Sequence, residues 1–321
     1  MTRGFVLGEF MPPHQGDVML CEFAQAYCDA LTILVCSRDD DPIDGTLRVQ
    51  WMRELFPAAR VVHLHRDVPQ APGDHPALWD GIVREVHPEP VDFVFASEAY
   101  GQRLAAGAGA RFVPFDPGRT AAPVSGTQVR GDIYANWQYL PAPVRAHYVK
   151  SVCLFGPEST GKSTLSPILA DALNTMAAPE YGRTYCEMFG TDCTAEDLLR
   201  IARGQRALEW TARRHARKLL VLDTDVLMTA IWAEMLLGHR IPELDATPVA
   251  DFYLLADIDV AWQDDGTRYF PDPQRRQRFF DLCRARLEER QVPYVTIRGA
   301  QDDRLRTSLD AIAAHFPDLM P

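Results

Sequence analysis

Residues 156–163 read Gly156-Pro157-Glu158-Ser159-Thr160-Gly161-Lys162-Ser163, and this stretch decides the fold of the second half of the chain. It has glycine, lysine and a hydroxyl residue at every fixed position of the phosphate-binding pattern G-x-x-x-x-G-K-[ST]. An apolar strand is predicted just before it, over residues 152–155, and a helix is predicted to begin near Gly161. Because strand, glycine-rich turn and helix are the setting of this pattern, we predict a P-loop domain.

Each fixed residue of the loop has a function in binding ATP. The two glycines let the backbone approach phosphate oxygens, and the N–H groups of the loop and of the helix start favour anions. Lys162 brings a positive charge to the β- and γ-phosphates, and the Ser163 hydroxyl is suited to bind Mg²⁺. The predicted ATP-binding residues of this loop are Gly156, Glu158, Ser159, Thr160, Gly161, Lys162, Ser163 and Thr164.

A second acidic element follows the P-loop at the end of an apolar run, Leu219-Leu220-Val221-Leu222-Asp223-Thr224-Asp225. An aspartate in this position is typical of the Walker B element, which holds Mg²⁺ or its waters. We predict that Asp223 does so and that Asp225 orients or deprotonates the accepting hydroxyl. For either aspartate, the alternative is a cap on the following helix.

Two polar segments complete the predicted kinase site. Arg268 lies in the polar stretch 264–268, which we interpret as a mobile lid that brings this arginine onto the transferring phosphoryl group. A solvated loop is an equal alternative. Glu180, Tyr181 and Arg183 follow the first crossover and offer a carboxylate, an aromatic ring and a cation, a combination that suits a polar, ring-bearing substrate.

The length and the order of predicted elements indicate two α/β domains. The chain has 321 residues and is 47% hydrophobic, which is enough for two ordinary cores. Apolar strands separated by helices predict a parallel sheet, covered on both faces, before residue 140 and again after residue 150. Pro141 and Pro143 predict a stiff linker without helix or strand, so we expect domains at 1–145 and 146–321.

Charge and composition exclude several classes of partner. The formal net charge is −11, whereas a nucleic-acid or acidic-membrane partner favours a basic surface. We therefore expect small-molecule substrates, with no nucleic acid and no membrane. The 7 cysteines, the lack of a C-x-x-C pair, and an N-terminus unlike a signal peptide predict a cytoplasmic protein with reduced thiols. The sequence leaves the oligomeric state open, including a homo-oligomer.

The N-terminal half has its own candidate phosphate site between the first strand and the first helix, where α/β sheets bind ligands. This stretch contains Gly8, Phe10, His14 and Gly16. His14 faces the predicted helix start, and Gly16 permits a close approach of the ligand. Further along, Ser125 and Thr127 are suited to donate to phosphate, and Arg130 to make a bidentate contact.

Together these motifs resemble one family. The stretch Gly8-Glu9-Phe10-Met11-Pro12-Pro13-His14-Gln15-Gly16-Asp17 resembles the G-x-F-x-P-x-H-x-G-H signature of nucleotidylyltransferases, and Ser125-Gly126-Thr127-Gln128-Val129-Arg130 resembles their I-S-x-T-x-x-R signature. Their fusion to a P-loop kinase with E-Y-x-R and D-T-D elements is similar to the NadR type. These are bifunctional nicotinamide-mononucleotide adenylyltransferase/ribosylnicotinamide kinases, and the resemblance covers nearly the whole chain.

The resemblance implies two reactions, both of which use ATP and Mg²⁺. The C-terminal domain would phosphorylate nicotinamide riboside at its 5′-hydroxyl, and the N-terminal domain would join nicotinamide mononucleotide to AMP, giving NAD and pyrophosphate. His14, Ser125, Thr127 and Arg130 would hold the ATP phosphates of the second reaction. Lys162, Ser163 and Asp223 would serve the kinase, and Glu180 and Arg183 the riboside. Trp79 would stack on nicotinamide, with a plain core position as the alternative.

The chain departs from the family pattern in its N-terminal loop. The second histidine of the signature is Asp17 here, and a lysine often found in the loop is Glu9. We expect these carboxylates to weaken adenylyl transfer. Some members also carry an N-terminal helix-turn-helix that represses transcription. Because this chain begins directly at the first predicted strand, we expect no DNA-binding role.

Two other functions remain compatible with the sequence. In the first, the chain is a kinase alone, with a degenerate nucleotide-binding N-terminal domain. In the second, the P-loop domain is an ATPase switch, which predicts hydrolysis without an acceptor. The sequence also leaves open which nucleoside is the acceptor, and how Asp223 and Asp225 divide their roles.

Overall fold

The chain divides into two compact units, Met1–Val144 and Arg145–Pro321. The computed structural model describes residues 1–69, 72, 74–264, 266 and 268–321. Within these residues, no helix combines the length and the apolar character needed to cross a membrane.

The N-terminal unit is a five-stranded parallel sheet in the order β3-β2-β1-β4-β5. Its strands are β1 (Arg3–Gly8), β2 (Ala30–Ser37), β3 (Arg60–His65), β4 (Phe93–Ala96) and β5 (Arg111–Pro114). Its helices are α1 (Gln15–Tyr27), α2 (Gly45–Leu55), α3 (Pro76–Val86), α4 (Tyr100–Ala108) and α5 (Gly126–Gly131), followed by a 3₁₀ turn at Trp137–Tyr139. The chain builds outward from β1 to β3 and then returns to the other side of β1. The switch point therefore lies between β1 and β4, where such sheets open a crevice for ligands.

Both faces of this sheet are buried, as parallel sheets require. Val6 and Ile33 pack on one face, in a cluster with residues of α1 and α2. Phe5 and Leu34 pack on the other face, with residues of α3 and α4. Because neighbouring residues of a strand point to opposite faces, the continuous apolar runs of β1 and β2 supply both cores.

The C-terminal unit is a second five-stranded parallel sheet, in the order β10-β9-β6-β8-β7. Its strands are β6 (Lys150–Phe155), β7 (Ala177–Ala178), β8 (Leu219–Asp223), β9 (Phe252–Ala256) and β10 (Tyr294–Ile297). Its helices are α7 (Lys162–Ala172), α8 (Tyr181–Phe189), α9 (Ala195–Arg213), α10 (Val226–Leu237), α11 (Pro242–Asp245), α12 (Pro273–Glu289) and α13 (Gln301–His315), with a final 3₁₀ turn at Pro317–Leu319. The prediction of two parallel α/β sheets, the second with a P-loop, is confirmed.

The predicted helix-free linker is wrong. Helix α6 (Ala142–Tyr148) runs through the point where the two units divide. Pro143 lies in its first turn, where a missing backbone N–H costs nothing because that group would have no partner within the helix. Pro141 lies just before the helix. The two prolines therefore start a helix rather than prevent one.

Candidate functional site

The phosphate loop is the turn between β6 and α7, and its backbone requires two glycines. Gly156 has φ 129°, and a Cβ there would lie 2.7 Å from the carbonyl oxygen of Ala256. Gly161 has φ 82° and precedes α7, and no side chain in the described part of the chain caps this helix. The first N–H groups of α7 are therefore left without a capping side chain, and this is the arrangement that binds phosphate at a helix N-terminus.

Lys162 is folded into this loop. Its Nζ donates to the carbonyl oxygens of Gly156 at 2.8 Å and of Pro157 at 2.7 Å. The side chain is only 9% exposed. A buried ammonium inside a ring of backbone groups keeps a positive charge at the centre of the loop, where the phosphates of ATP would lie.

Two buried arginines bind backbone carbonyl groups of the phosphate loop. Neither role was predicted from the sequence. Arg276 donates to the carbonyl of Ser159 at 3.0 Å, and Arg304 donates to the carbonyl of Thr160 at 2.9 Å. Arg304 comes from α13, far along the chain. Because these carbonyl groups are bound by the two arginines, the N–H groups of the loop remain available to a ligand.

A cavity of about 440 Å³ adjoins the loop, within the usual range for small-molecule sites. Among its described lining residues, the charged and polar ones beyond the loop include Glu180, Arg183, Gln205 and Arg268. The apolar and aromatic ones include Leu198, Ile201, Met228, Trp232, Leu236 and Tyr269. The structure thus brings Glu180, Arg183 and Arg268 together beside the phosphate loop.

Asp223 ends β8 as a buried carboxylate. It is 4% exposed, and among the described residues its Oδ1 has no hydrogen-bond partner. A buried carboxylate oxygen without a partner is costly, so its presence indicates a site for a metal ion or for a donor group of a ligand. Asp223 and the hydroxyl of Ser163, in the first turn of α7, have the oxygen chemistry that suits Mg²⁺.

Glu180 is a carboxylate that, unlike Asp223, is among the described lining residues of the cavity. Burial raises its pKa, while the positive charge of Lys162 opposes that shift and the negative charge of Asp223 reinforces it. A raised pKa makes the ionised carboxylate a stronger base than an ordinary glutamate. Glu180 is therefore able to accept a proton from a hydroxyl group held in the cavity.

Asp225, like Asp223, is not among the described residues that line the cavity. Its Oδ1 accepts from the N–H of Leu227 at 3.1 Å and so caps α10. Its Oδ2 accepts from the hydroxyl of Tyr253. The residue is 3% exposed, and burial raises its pKa to about 6. Both oxygens are engaged inside the protein, so the capping alternative describes Asp225 better than a role toward an acceptor.

Tyr181 also has a packing role. Its ring lies against α9, where a Cβ at Gly204 would come within 2.1 Å of it. Its backbone N–H donates to Oε1 of Gln205 at 2.8 Å. Gln205, which the sequence analysis missed, is 2% exposed and also donates to the carbonyl of Thr224 at 3.3 Å. This glutamine ties the start of α8 to the end of β8, and thereby places Glu180 beside Asp223.

Arg268 lies over the phosphate loop. Its guanidinium donates to the hydroxyl of Ser159 and to the carbonyl of Gln263. Asp265 and Thr267, which flank it in the predicted lid, lie outside the described residues. Arg268 is among the described residues that line the cavity, and its role as a lid residue stays a prediction.

The N-terminal unit has a separate cavity of about 380 Å³ at the carboxyl ends of β1 and β4. The predicted residues that line it are Gly8, Phe10, His14, Gly16, Ser125, Thr127 and Arg130. Arg130 donates to the carbonyl of Met11 at 2.7 Å and to the hydroxyl of Thr127 at 3.2 Å. The two motifs, more than a hundred residues apart in sequence, therefore form one site.

The start of α1 is closed by the protein's own side chains. The backbone N–H of Asp17 donates to Nδ1 of His14 at 3.3 Å, and the Asp17 carboxylate accepts from the backbone N–H of His14 at 3.0 Å. This reciprocal pair is a capping box. Burial raises the pKa of Asp17, against the influence of His14 and of the charge of Arg119.

Trp79 does not reach this cavity. Its side chain is 0% exposed and belongs to the core that covers one face of the sheet. Its indole N–H donates to the carbonyl of Pro69 at 3.1 Å. This geometry corresponds to the core alternative, because a fully buried indole offers no face to a ligand.

Comparison with known proteins adds to this geometry. A family model described as an AAA domain matches residues 151–304. The trifunctional NAD biosynthesis/regulator protein NadR of Escherichia coli (strain K12) is 29% identical, with 94% of this chain and 80% of that protein covered. The protein of the same description from Salmonella typhimurium (strain LT2) is 28% identical, with the same coverage. The chain is similar to NadR proteins along nearly its whole length.

Solved structures show the same fold. A NadR protein in complex with NR aligns with a TM-score of 0.77 and 22% identity, covering 98% of this chain and 96% of that one. A NadR protein in complex with NAD and AMP-PNP aligns with a TM-score of 0.75 and 21% identity, with the same coverage. The alignments span both units of the chain.

Proposed function

We propose that the C-terminal unit is a kinase that transfers the γ-phosphate of ATP to the 5′-hydroxyl of nicotinamide riboside. The observation that carries this proposal is the continuity of one cavity from the phosphate loop to Glu180 and Arg183. Phosphoryl transfer needs room for an acceptor in line with the γ-phosphate. An ATPase switch would need space for a water molecule only.

In the proposed reaction, the loop N–H groups and Lys162 hold the β- and γ-phosphates. Bound Mg²⁺ would neutralise phosphate charge, with Ser163 and Asp223 as its ligands. Glu180 orients the accepting hydroxyl and takes its proton, as its raised pKa allows. Arg268 stabilises the charge that spreads over the transferring group.

The choice of nicotinamide riboside rests on similarity and on the chemistry of the cavity wall. One NadR structure with the same fold holds NR. In this chain, Trp232 and Tyr269 line the cavity. Their ring centroids are 5.3 Å apart, with an interplanar angle of 51°. Aromatic faces favour a planar, positively charged ring, while Arg183 and Glu180 suit ribose hydroxyls.

We further propose that the N-terminal unit adenylylates nicotinamide mononucleotide, giving NAD and pyrophosphate, at a reduced rate. His14, Ser125, Thr127 and Arg130 line its cavity as the resemblance implies. The NadR structure with NAD and AMP-PNP has the same fold. The reduced rate follows from Glu9 and Asp17, which put carboxylates where the family pattern has cations.

Chromatographic product analysis tests both proposals. The chain is incubated with ATP and Mg²⁺, together with nicotinamide riboside, with the mononucleotide, or with neither. We expect riboside-dependent formation of ADP and mononucleotide, and a slower formation of NAD from the mononucleotide. Hydrolysis of ATP at the same rate without an acceptor would favour the switch and overturn the kinase.

A further inference from the structure

Glu158, in the phosphate loop, is bonded to the segment that carries Arg268. Its carboxylate accepts from the backbone N–H of Tyr269 at 3.0 and 2.9 Å, and from that of Phe270 at 2.6 Å. Backbone N–H groups that converge on one carboxylate are strong, charge-assisted bonds. The variable third position of the phosphate loop therefore has a defined partner.

The same carboxylate also reaches the other end of this segment. The indole N–H of Trp262 donates to Glu158 at 3.3 Å. The next loop residue, Ser159, accepts from the backbone N–H of Gln263 at 2.8 Å. Two consecutive loop residues thus bind both ends of the segment 262–270, of which residues 262–264, 266 and 268–270 are described, and the guanidinium of Arg268 donates to Ser159.

The position of Glu158 is electrostatically unusual. A negative side chain in a loop that binds polyphosphate repels its ligand unless other groups compensate the charge. In this structure the N–H donors of the segment compensate the charge together with the nearby guanidinium of Arg276. Removal of the segment from the loop would leave the carboxylate beside the phosphates without these N–H donors.

We propose that Glu158 is a positioning residue that couples the segment 262–270 to the phosphate loop and so holds Arg268 over it. Glu158 touches no reacting atom in this scheme. Because the N–H donors of the segment reach this carboxylate only while the segment is seated, polyphosphate binding and the seated segment favour each other. The inference rests on the proposed kinase function for its catalytic consequence only, since the attachment itself is independent of any substrate.

Limited trypsin digestion tests the attachment without any substrate. Trypsin cuts after Arg268 only when the segment leaves the loop, and mass spectrometry identifies the fragment that begins at Tyr269. Opening should increase about tenfold or more in Glu158→Ala, in proportion to the population of the open form. Glu158→Gln should be intermediate, because its amide oxygen still accepts an N–H. Glu196→Ala removes an exposed carboxylate of α9, paired with Arg200, and should match the wild type.

Kinetics with ATP and nicotinamide riboside then separate positioning from nucleotide binding. We expect kcat of Glu158→Ala to fall about tenfold or more while KM for ATP changes less than about threefold, because Arg268 acts mainly in the transition state. Glu158→Gln should recover part of kcat. Thermal unfolding verifies that each variant is folded.

Two results would overturn the inference. Equal cleavage after Arg268 in folded Glu158→Ala and wild type would mean that Glu158 does not hold the segment. A raised KM for ATP with unchanged kcat would make Glu158 a nucleotide-binding residue instead. If the wild type shows no kinase activity, the proposed function fails, while the cleavage experiment still decides the attachment.

Discussion

Helices α1 and α7 both begin just after the first strand of their parallel sheet, at the edge where such sheets bind ligands, yet their N-termini differ. Helix α7 follows Gly161, and among the residues that the structure describes no side chain caps it. Helix α1 is closed by the reciprocal bonds of His14 and Asp17. The comparison teaches that a helix N-terminus binds phosphate well only when the protein leaves it open.

The balance of positive and negative side chains also favours phosphate binding in the C-terminal cavity over the N-terminal one. Among the described residues of the C-terminal cavity, the cations Lys162, Arg183 and Arg268 face the carboxylates Glu158 and Glu180. In the N-terminal cavity, the cations Arg119 and Arg130 face the carboxylates Glu9, Asp17, Glu98 and Asp116. The side chains that line the C-terminal cavity therefore attract polyphosphate. Those that line the N-terminal cavity repel it unless an additional cation binds there.

The largest expected effect comes from Lys162→Ala, which tests whether the two sites work independently. We expect riboside phosphorylation to fall at least about a hundredfold, since the loop loses the charge that stabilises the transferring phosphoryl group. NAD formation from the mononucleotide should be unchanged. Product chromatography measures both reactions.

Lys218→Ala is the matched control for this change. Lys218 precedes β8 at the amino end of the sheet, where its carbonyl accepts from Lys150, and the phosphate loop lies at the carboxyl end. Loss of both activities in a folded Lys162→Ala protein would contradict the two-site comparison.

Arg268→Ala should have the next largest effect and sharpens the description of the C-terminal site. If Arg268 stabilises the transition state, kcat should fall about ten- to a hundredfold while ATP binding weakens much less. Steady-state kinetics and ATP titration measure the two quantities. Arg203→Ala, which removes an exposed arginine of α9, serves as control. An unchanged kcat would mean that Arg268 belongs to a solvated loop and does not stabilise the transition state.

The N-terminal site should improve when its carboxylates are exchanged for the cations of the family pattern. A carboxylate about 4 Å from a phosphate charge costs about 4 kcal/mol at an effective dielectric constant of about 20. Half of that cost already corresponds to more than about tenfold in rate. We therefore expect Glu9→Lys with Asp17→His to raise NAD formation from the mononucleotide about tenfold, with riboside phosphorylation as the internal control.

The single variants show which carboxylate matters. Because Asp17 is the N3 residue of the capping box of α1 and accepts from the backbone N–H of His14, its replacement also costs about 1 kcal/mol of helix stability. Glu9→Lys carries no such cost and should give most of the gain. A slower double variant, or a native rate equal to that of the kinase, would instead make Asp17 a working ligand of the N-terminal site.

The sequence predicted those parts of the two sites whose residues are adjacent in the chain, and it did not predict contacts between residues that are distant in sequence. The phosphate loop is a contiguous motif whose backbone chemistry is fixed by Gly156, Gly161 and Lys162, and the structure has the turn where the motif predicts it. The contacts of Arg304 and Gln205 have no local signal, because each residue meets its partner only after the sheet has formed. The bonds of Glu158 were missed for the same reason.

Helix α10 shows why periodicity does not identify every helix. Helix α10 reads VLMTAIWAEMLL and is buried on most of its surface, with seven residues buried. An amphipathic pattern needs a polar face, and such a helix has almost none. Trp79 illustrates the opposite case, because an aromatic residue near a predicted site is compatible with both stacking and core packing until its burial is known.

The smallest expected effect on turnover concerns Asp225, which caps α10 as His14 caps α1. Asp225→Asn should keep kcat within about threefold of the wild type, because the carboxylate is engaged by Leu227 and Tyr253 and an amide oxygen still caps the helix. Asp223→Asn is the matched comparison and should lose at least about a hundredfold, since the Oδ1 of Asp223 has no hydrogen-bond partner among the described residues.

The pH dependence of the free energy of unfolding supplies a second measurement for Asp225. Burial raises the pKa of Asp225 from 3.8 to about 6, so the folded state binds more protons than the unfolded state between these values. The wild type should therefore lose stability relative to Asp225→Asn, on the order of 1–3 kcal/mol, as the pH rises from about 4 to about 6. Urea unfolding across this range measures the difference, and a loss of turnover in Asp225→Asn as large as that in Asp223→Asn would return Asp225 to the catalytic site.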